Sequence, residues 1–125
     1  MPNAAAGRVV VCRVGSERFT VPVAEVRELV ATPAISRIPG TPAAIRGVVN
    51  VRGGLVTVVS GAELMGRDGS RGGECLVVLT MHEGRVGIEV DDVEDLETTG
   101  STGLLHALDL EAVVRPLFRQ EAVKA

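Results

Sequence analysis

The sequence predicts a mainly β fold, a barrel or sandwich of strands joined as successive hairpins with a few short helices. Valine-rich runs recur along the chain with short glycine-containing turns between them. Hydrophobic residues make up 46% of the 125 residues, but only Phe19 and Phe118 are aromatic, so the core must consist of branched and small aliphatic side chains. Branched side chains favour strands. A chain of this length fits one domain, residues 1–125, with flexible ends at 1–7 and 120–125.

The first predicted elements are a hairpin and a helix. Residues 8–14 form an apolar run, and after the turn "GSE" the stretch "RFTVPV" alternates apolar with other residues, which indicates two paired strands. In the following "AEVRELV", Val26, Leu29 and Val30 recur at helical spacing. This spacing predicts one or two turns of amphipathic helix.

An irregular connector and a second hairpin come next. Residues 32–42 contain three prolines and cannot be regular helix. "AIRGVVNVRGGLVTVVSG", Ala44 to Gly61, predicts two strands around a turn at Arg52. "AELMG" is a short helix at most, and residues 66–73 have the composition of a mobile loop.

The second half predicts one more hairpin, a closing strand and a helix. "CLVVLTM" and "VGIEV" are the hairpin strands, and "LLHAL" is a short strand. A helix begins near Asp109, where a side-chain cap is available. Its buried stripe comprises Leu110, Val113, Val114 and Leu117. The total is six or seven strands with three brief helices.

No catalytic, cofactor-binding or metal-binding motif is present. Neither GxxxxGK[ST] nor GxGxxG occurs, and His82 and His106 have no partner at zinc spacing. "DDVED", Asp91 to Asp95, lacks the ligand pattern of an EF-hand loop, and we expect a solvated acidic turn that caps a short helix. The residues therefore predict a non-enzymatic binding module without cofactor or metal.

Charge and hydropathy limit the partners. The formal charge of −3 has both signs interspersed, so nucleic-acid binding is not expected. No apolar run approaches the roughly 20 residues that cross a bilayer, and "MPNAAAGR" lacks the apolar core of a signal peptide, so a cytoplasmic protein without membrane insertion is expected. Cys12 and Cys75 lie in apolar runs and are expected to be buried. A small enzyme or ligand-binding barrel that uses Cys75, His82 or the acidic stretch is the alternative.

The turn "NVRGG" is the one polar feature between two apolar strands. A guanidinium is costly to bury unpaired, so Arg52 is either solvated or held by an acidic or carbonyl partner. The residues alone favour a plain hairpin turn, in which Gly53 or Gly54 supplies a positive φ and Asn50 bonds the backbone.

The order of the segments resembles the CheW-like family, the coupling proteins of bacterial chemotaxis arrays. "RIPGTP", "GVVNVRG", "VGIEVDDV" and "LHALDLEAVV" follow one another as in that family, from Val10 to about Leu117. The resemblance implies a pair of small SH3-like β-barrels with short helices and no catalytic activity. It also implies binding to the cytoplasmic helical domain of a methyl-accepting chemoreceptor and to the regulatory domain of a CheA-type histidine kinase, in receptor clusters that control motility.

The same resemblance implies the interface residues. Matching the family's motifs to this chain gives Val26, Glu28, Gly47, Asn50, Arg52, Gly53, Val77 and Gly87. For the two valines and for Gly47 and Gly87, plain packing or turn geometry is the alternative explanation.

The chain also departs from the family pattern. Thr57, Ser60 and Gly61 stand where the family usually has proline and aspartate in "PVVDL". Only Glu97 to Gly103 separates the last acidic stretch from the closing strand, where typical members have a longer segment with further strands. We therefore expect an incomplete second barrel, a retained receptor-facing groove and weak or absent kinase binding. An exposed edge could instead join two copies, or another CheW-like protein.

Overall fold

The structure is a computed structural model, and it describes residues 8–98, 106, 107 and 114. The fold is mainly β, as predicted, and the described strands form two sheets. The strands are β1 Arg8–Val14, β2 Glu17–Pro22, β3 Val26–Ala31, β4 Ile45–Val51, β5 Gly54–Ser60, β6 Cys75–Leu79, β7 Val86–Val90, β8 Asp92–Thr98 and β9 His106–Ala107. The helical segments are a 3-10 turn at Val23–Glu25, α1 at Gly61–Leu64 and α2 at Met81–Gly84.

The smaller sheet joins the two ends of the described chain. Its strand order is β8-β1-β2-β9. The predicted first hairpin is confirmed, since β1 and β2 pair antiparallel. Pro22 is the last residue of β2, a position where the absence of an N–H interrupts the strand pairing least. The other edge of β1 pairs antiparallel with β8, and the short β9 runs parallel to β2. This sheet therefore brings together strands from the early part and the late part of the described chain.

The larger sheet comes from the middle of the chain, in the order β3-β6-β7-β5-β4. Both predicted hairpins, β4 with β5 and β6 with β7, are confirmed as antiparallel pairs. A parallel pair between β5 and β7 joins the hairpins, and β3 adds antiparallel to β6. Residues 32–42 are irregular, as predicted, apart from a bridge between Ser36 and Val48. That bridge links the segment after β3 to β4, so the two ends of the sheet approach each other.

The predicted amphipathic helix in "AEVRELV" is wrong. Only Val23–Glu25 is helical, as one 3-10 turn, and Val26–Ala31 is strand β3. The burial of β3 alternates residue by residue, which is the pattern of a half-buried strand. The spacing of Val26, Leu29 and Val30 fits either a helix or a strand with a bulge, and pairing with β6 decides for the strand.

The acidic stretch was also assigned wrongly. Instead of a solvated turn that caps a helix, Asp92–Thr98 is strand β8 along β1, with a register shift opposite Val11 and Cys12. A seven-residue strand with four acidic residues is not evident from propensity, since Asp and Glu are depleted in strands. With β3 and β8 the described strands number nine rather than six or seven.

Two aliphatic clusters form the core. One lies on the inner face of the larger sheet and contains Val49, Val56, Val58, Leu76 and Val78. The other lies between the two sheets and contains Phe19 together with aliphatic side chains of β1, β2, β5, β6 and β7. The middle strands of the larger sheet are therefore covered on both faces, which explains their continuous apolar runs.

Several sequence predictions fall largely outside the described residues. These are the flexible ends at 1–7 and 120–125, the short segment Glu97 to Gly103 beyond Thr98, and most of the last helix. Of the predicted helical stripe, Val114 is described, and it is helical and buried in the cluster between the sheets. Within the described part of the chain, no helix has the length and apolar character needed to span a membrane.

Candidate functional site

The hairpin between β4 and β5 turns at Arg52 and Gly53. Val51 pairs with Gly54, which leaves two central residues with φ of 53° and 85°. Positive φ at both positions is the type I′ geometry that matches the twist of paired strands. The Asn50 Oδ1 accepts a hydrogen bond from the Gly53 N–H at 3.0 Å. The predicted roles of Gly53 and Asn50 in the turn are confirmed, and Arg52 is held in a backbone region that non-glycine residues rarely adopt.

An ion pair fixes the Arg52 side chain. Its Nε donates to the Glu28 Oε1 at 2.9 Å. Glu28 lies on β3 and Arg52 follows β4, and these strands occupy opposite ends of the sheet order. A contact between them, together with the Ser36–Val48 bridge, requires the sheet to curl into a barrel. The pair therefore joins the barrel's two edge strands.

The two members of this pair differ in exposure. The Arg52 side chain is 78% exposed, whereas that of Glu28 is 23% exposed. The two alternatives for Arg52, solvated or held by an acidic partner, are thus both realised in one arrangement. Because the carboxylate lies behind the guanidinium, a protein that approached this surface would meet the cation first.

Three of the residues implied by the family resemblance are buried. Val77 is completely buried in the cluster between the sheets. A Cβ on Gly47 would collide with the Ser36 backbone, and one on Gly87 would lie 2.9 Å from the Leu76 side chain. Packing therefore explains these three positions, and they support the surface rather than form it.

The exposed part of the candidate site comprises Val26, Glu28, Asn50, Arg52 and Gly53, all of them half-buried or exposed. Sequence reasoning missed two leucines beside them. Leu29 follows Glu28 and is 44% exposed, and Leu55 pairs with Asn50 across the hairpin and is 66% exposed. Both lie in apolar runs, where burial is the default expectation, so no signal in the sequence marks them.

A second ion pair was also missed. The Arg46 Nε donates to the Glu89 Oε1 at 2.8 Å, with side-chain exposures of 18% and 4%. The pair lines an open groove of about 1670 Å³ between the residue 66–73 loop and the two sheets. Glu89 sits inside the apolar-looking "VGIEV", where the break in hydropathy is the available signal. A carboxylate this buried needs its partner for stability.

The residue 66–73 loop is tied down at several points. The Gly69 N–H donates to Glu63, and the Ser70 N–H donates to Asp68. The backbone hydrogen bond from Ser70 lowers the pKa of the Asp68 carboxyl. The sequence predicts a mobile loop here; the structure shows irregular backbone that contacts Glu63 and Glu17 beside the groove.

The alternative chemical site is not assembled. Cys75 begins β6 and His82 follows its end, so the length of the strand, about 13 Å, lies between the two positions along the chain. Burial raises the pKa of the Cys75 thiol, and Asp92 raises it further. For the buried Cys12, desolvation and then Cys75 raise the pKa to about 12. Neither thiol is activated as a nucleophile.

The departures from the family pattern have local reasons. The Thr57 N–H donates to the Arg85 carbonyl at 2.7 Å, a bond that a proline could not make. Ser60 caps α1, since its hydroxyl accepts the Glu63 N–H at 3.1 Å. A Cβ on Gly61 would lie 2.7 Å from the Glu89 carbonyl oxygen. Ser60 and Gly61 thus form the N-terminal end of helix α1 at the position where the family usually has proline and aspartate.

Comparison with known proteins agrees with this architecture. The family model described as CheW-like domain matches residues 8–122. The chain is 32% identical over 84 residues to "Chemotaxis protein CheW" of Klebsiella aerogenes, covering 66% of this chain and 51% of that protein. It is 28% identical over 103 residues to "Chemotaxis protein CheW" of Rhizobium meliloti, covering 78% and 64%.

A solved structure is similar as well. The crystal structure of the scaffolding protein TtCheW from Thermoanaerobacter tengcongensis aligns with a TM-score of 0.66 and 26% identity, covering 74% of this chain and 65% of that one. The chain thus spans about half to two thirds of the length of these relatives.

Proposed function

Since the chain belongs to the CheW-like domain family, we propose that it is a non-catalytic adaptor in a bacterial chemosensory pathway. In this role it binds the cytoplasmic helical domain of a chemoreceptor and contributes to control of motility. The observation that carries the proposal is the Arg52–Glu28 pair, a cation on a strained turn and braced by a carboxylate. Strained backbone persists where the surrounding structure holds it, and such positions concentrate at functional sites.

The proposed receptor site is the surface around this pair. Asn50 fixes the turn, Gly53 completes it, and Val26 lies at the start of β3, where it packs against the cluster between the sheets. Buried Gly47, Val77 and Gly87 hold the strands beneath. An arginine with free hydrogen-bonding capacity next to apolar surface is the composition typical of interface hot spots.

We propose that the chain binds the CheA-type kinase weakly or not at all. The short segment after β8 leaves little chain for the strands that typical members carry, and a lost strand removes a binding face. A protein that binds the receptor without the CheA-type kinase would tune or interrupt an array rather than link it. Other CheW-like proteins, or a second copy, are further partners of such an exposed edge.

A cytoplasmic place in chemoreceptor clusters follows from this role and is part of the proposal. The short second half also resembles FrzB, the small CheW-like member of the frizzy gliding pathway. On this basis we propose gliding motility as the output.

The direct test is the affinity of an Arg52→Ala variant for the cognate receptor's cytoplasmic fragment, measured by calorimetry. Loss of an arginine from a buried interface pair is worth about 2 to 5 kcal/mol, and far less at a rim. Arg37→Ala is the matched control, because Arg37 is also exposed and lies on the irregular connector. Equal affinities for wild type and Arg52→Ala, with circular dichroism unchanged, would remove Arg52 from the site.

A further inference from the structure

The groove beside the residue 66–73 loop, called the loop groove below, is lined by Arg46, Glu89 and Thr32. We propose that it binds a free α-amino acid with an aliphatic side chain, and that these three residues hold the head group of the ligand. The loop groove does not include the Arg52 turn. The inference therefore goes beyond the proposed adaptor role and does not depend on receptor binding.

Arg46 has more hydrogen-bonding capacity than the surrounding protein uses. Its side chain is mostly buried, and its Nε donates to the Glu89 Oε1 at 2.8 Å. Among the described residues, no third residue forms a side-chain hydrogen bond or ion pair with either member of this pair. A carboxylate accepts two of a guanidinium's five N–H groups at best. Most N–H groups of Arg46 therefore need acceptors from water or from a ligand in the loop groove.

The Thr32 hydroxyl also lacks a partner. Its Oγ1 is buried and has no hydrogen-bond partner within the part of the chain that the structure describes. A buried hydroxyl without a partner costs free energy, and buried polar atoms are paired in most native structures. Since Thr32 lines the loop groove, a bound molecule can supply the missing bond.

The loop backbone places Thr32 near the ion pair. The Thr32 N–H donates to the Glu74 carbonyl at 3.0 Å. Two residues before Glu74, a Cβ added to Gly72 would lie 3.0 Å from the Arg46 Nη2 and 3.2 Å from the Glu89 Oε2. Successive Cα atoms are about 3.8 Å apart, so this short segment contacts Thr32 at one end and the ion pair at the other. Both therefore border the same stretch of the loop groove.

The charges of the loop groove favour a ligand that carries both signs. Three ion pairs line it, each with both partners in the wall: Arg13 with Asp91, Arg46 with Glu89 and Arg67 with Glu17. Arg71, Asp68 and Glu74 also line it, so the two signs remain nearly balanced. A simple anion or cation would meet like charges as closely as opposite ones. A zwitterion instead offers a carboxylate to the guanidinium and an ammonium group to the carboxylate of one pair.

The apolar lining specifies the rest of the ligand. Pro33, Ile35, Ala62 and Met65 border the loop groove together with the polar groups, and no residue of the lining is aromatic. Ligand sites combine apolar walls with a few polar groups that fix orientation. Aliphatic walls beside a dipolar site match an amino acid such as leucine, isoleucine or valine.

The ligand class is tested by titrating leucine into the isotope-labelled 125-residue chain and following amide chemical shifts by NMR. Saturable shifts are expected at the amides of Thr32, Gly72 and Glu74. Isocaproate lacks the ammonium group of leucine and isopentylamine lacks its carboxylate, so each should bind at least about tenfold more weakly. The inference is wrong if leucine, isoleucine and valine all fail to cause saturable shifts at these amides, or if either analogue binds as well as leucine.

Thr32→Val separates a role in binding from a role in folding. The hydroxyl has no protein partner, so the variant should be at least as stable as wild type in urea unfolding. It should nevertheless bind leucine about fivefold more weakly, because a hydrogen bond to the ligand is lost. Thr57→Val is the matched control, since Thr57 is half-buried and outside the loop groove, and it should keep wild-type affinity. Wild-type affinity in Thr32→Val would overturn the inference.

A double variant tests the ion pair. Arg46→Met with Glu89→Leu leaves no buried charge from this pair, so it should fold, as judged by circular dichroism, and should lose leucine binding. Leucine binding at wild-type affinity by the folded double variant would exclude the pair from the site and overturn the inference. If the double variant fails to fold, Thr32→Val and the two analogues decide.

Discussion

Removal of the Glu89 carboxylate tests the energetics of the structure most sharply. Glu89 is 4% exposed and its Oε1 lies 2.8 Å from the Arg46 Nε. In Glu89→Gln the neutral amide leaves a mostly buried guanidinium without a counter-charge. Breaking a buried pair from one side costs about 3 to 5 kcal/mol. Because 18% of the Arg46 side chain reaches water, we expect a cost at the lower end of that range, about 3 kcal/mol.

The exposed pair of Arg67 with Glu17 is the matched control. Its atoms are 2.7 Å apart, a geometry close to that of the buried pair, but its side chains are 50% and 30% exposed. Glu17→Gln should therefore cost less than about 1 kcal/mol, as solvated pairs do. The two ion pairs have nearly the same N–O distance and differ in burial, so the comparison isolates the effect of burial.

The assay is urea unfolding followed by far-ultraviolet circular dichroism, because the chain has no tryptophan or tyrosine for fluorescence. Replacing both partners with apolar residues, Arg46→Met with Glu89→Leu, should recover most of the loss, since the double variant leaves no charge buried. A cost below about 0.5 kcal/mol for Glu89→Gln, or equal costs for it and Glu17→Gln, would refute the reasoning.

Three further predictions concern single positions. Gly47→Ala should lower the free energy of unfolding by about 2 to 5 kcal/mol in urea titrations, because φ is +145° and the added Cβ meets the Ser36 backbone; a loss below about 1 kcal/mol would contradict the close contact. Below about pH 9 the Cys12 thiol is protonated in both the folded and the unfolded state, and between about pH 9 and 12 only the unfolded chain ionises. The free energy of unfolding should therefore fall by up to about 1.4 kcal/mol per pH unit over that window. In Cys12→Ala it should fall less steeply. Thr57→Pro, the residue usual in the family, should cost at least about 1 kcal/mol through loss of the bond to the Arg85 carbonyl, whereas Thr57→Val keeps that bond and serves as control.

The hairpins were predictable because their signals are local. Alternating valines and a glycine-containing turn specify β4, β5 and the geometry at Gly53 without reference to the rest of the chain. Strand β3 was not predictable, because the bulge at Arg27 gives its apolar residues a spacing that a helix shares. Pairing with β6, a contact about 50 residues away, decides the conformation, so local propensity is overruled by tertiary structure.

The residues of the candidate site likewise fall into two groups, those evident from the sequence and those that only the structure identifies. Asn50, Arg52 and Gly53 stand out in the sequence because polar residues interrupt two apolar strands. The partner of Arg52 is 24 residues away on β3, and only the three-dimensional structure identifies Glu28 as that partner. The exposure of Leu29 and Leu55 depends on where the smaller sheet ends, which no sequence pattern records. Gly47, Val77 and Gly87 carry the family's pattern, and the structure gives each a packing reason.

The most direct test of the proposed function is a paired titration of the 125-residue chain by calorimetry. One titration uses the cognate receptor's cytoplasmic fragment, and the other uses the regulatory domain of the cognate CheA-type kinase. We expect binding to the receptor fragment and weak or no binding to the kinase domain. Tight, stoichiometric binding to the kinase domain, or no binding to the receptor, would contradict the proposed function.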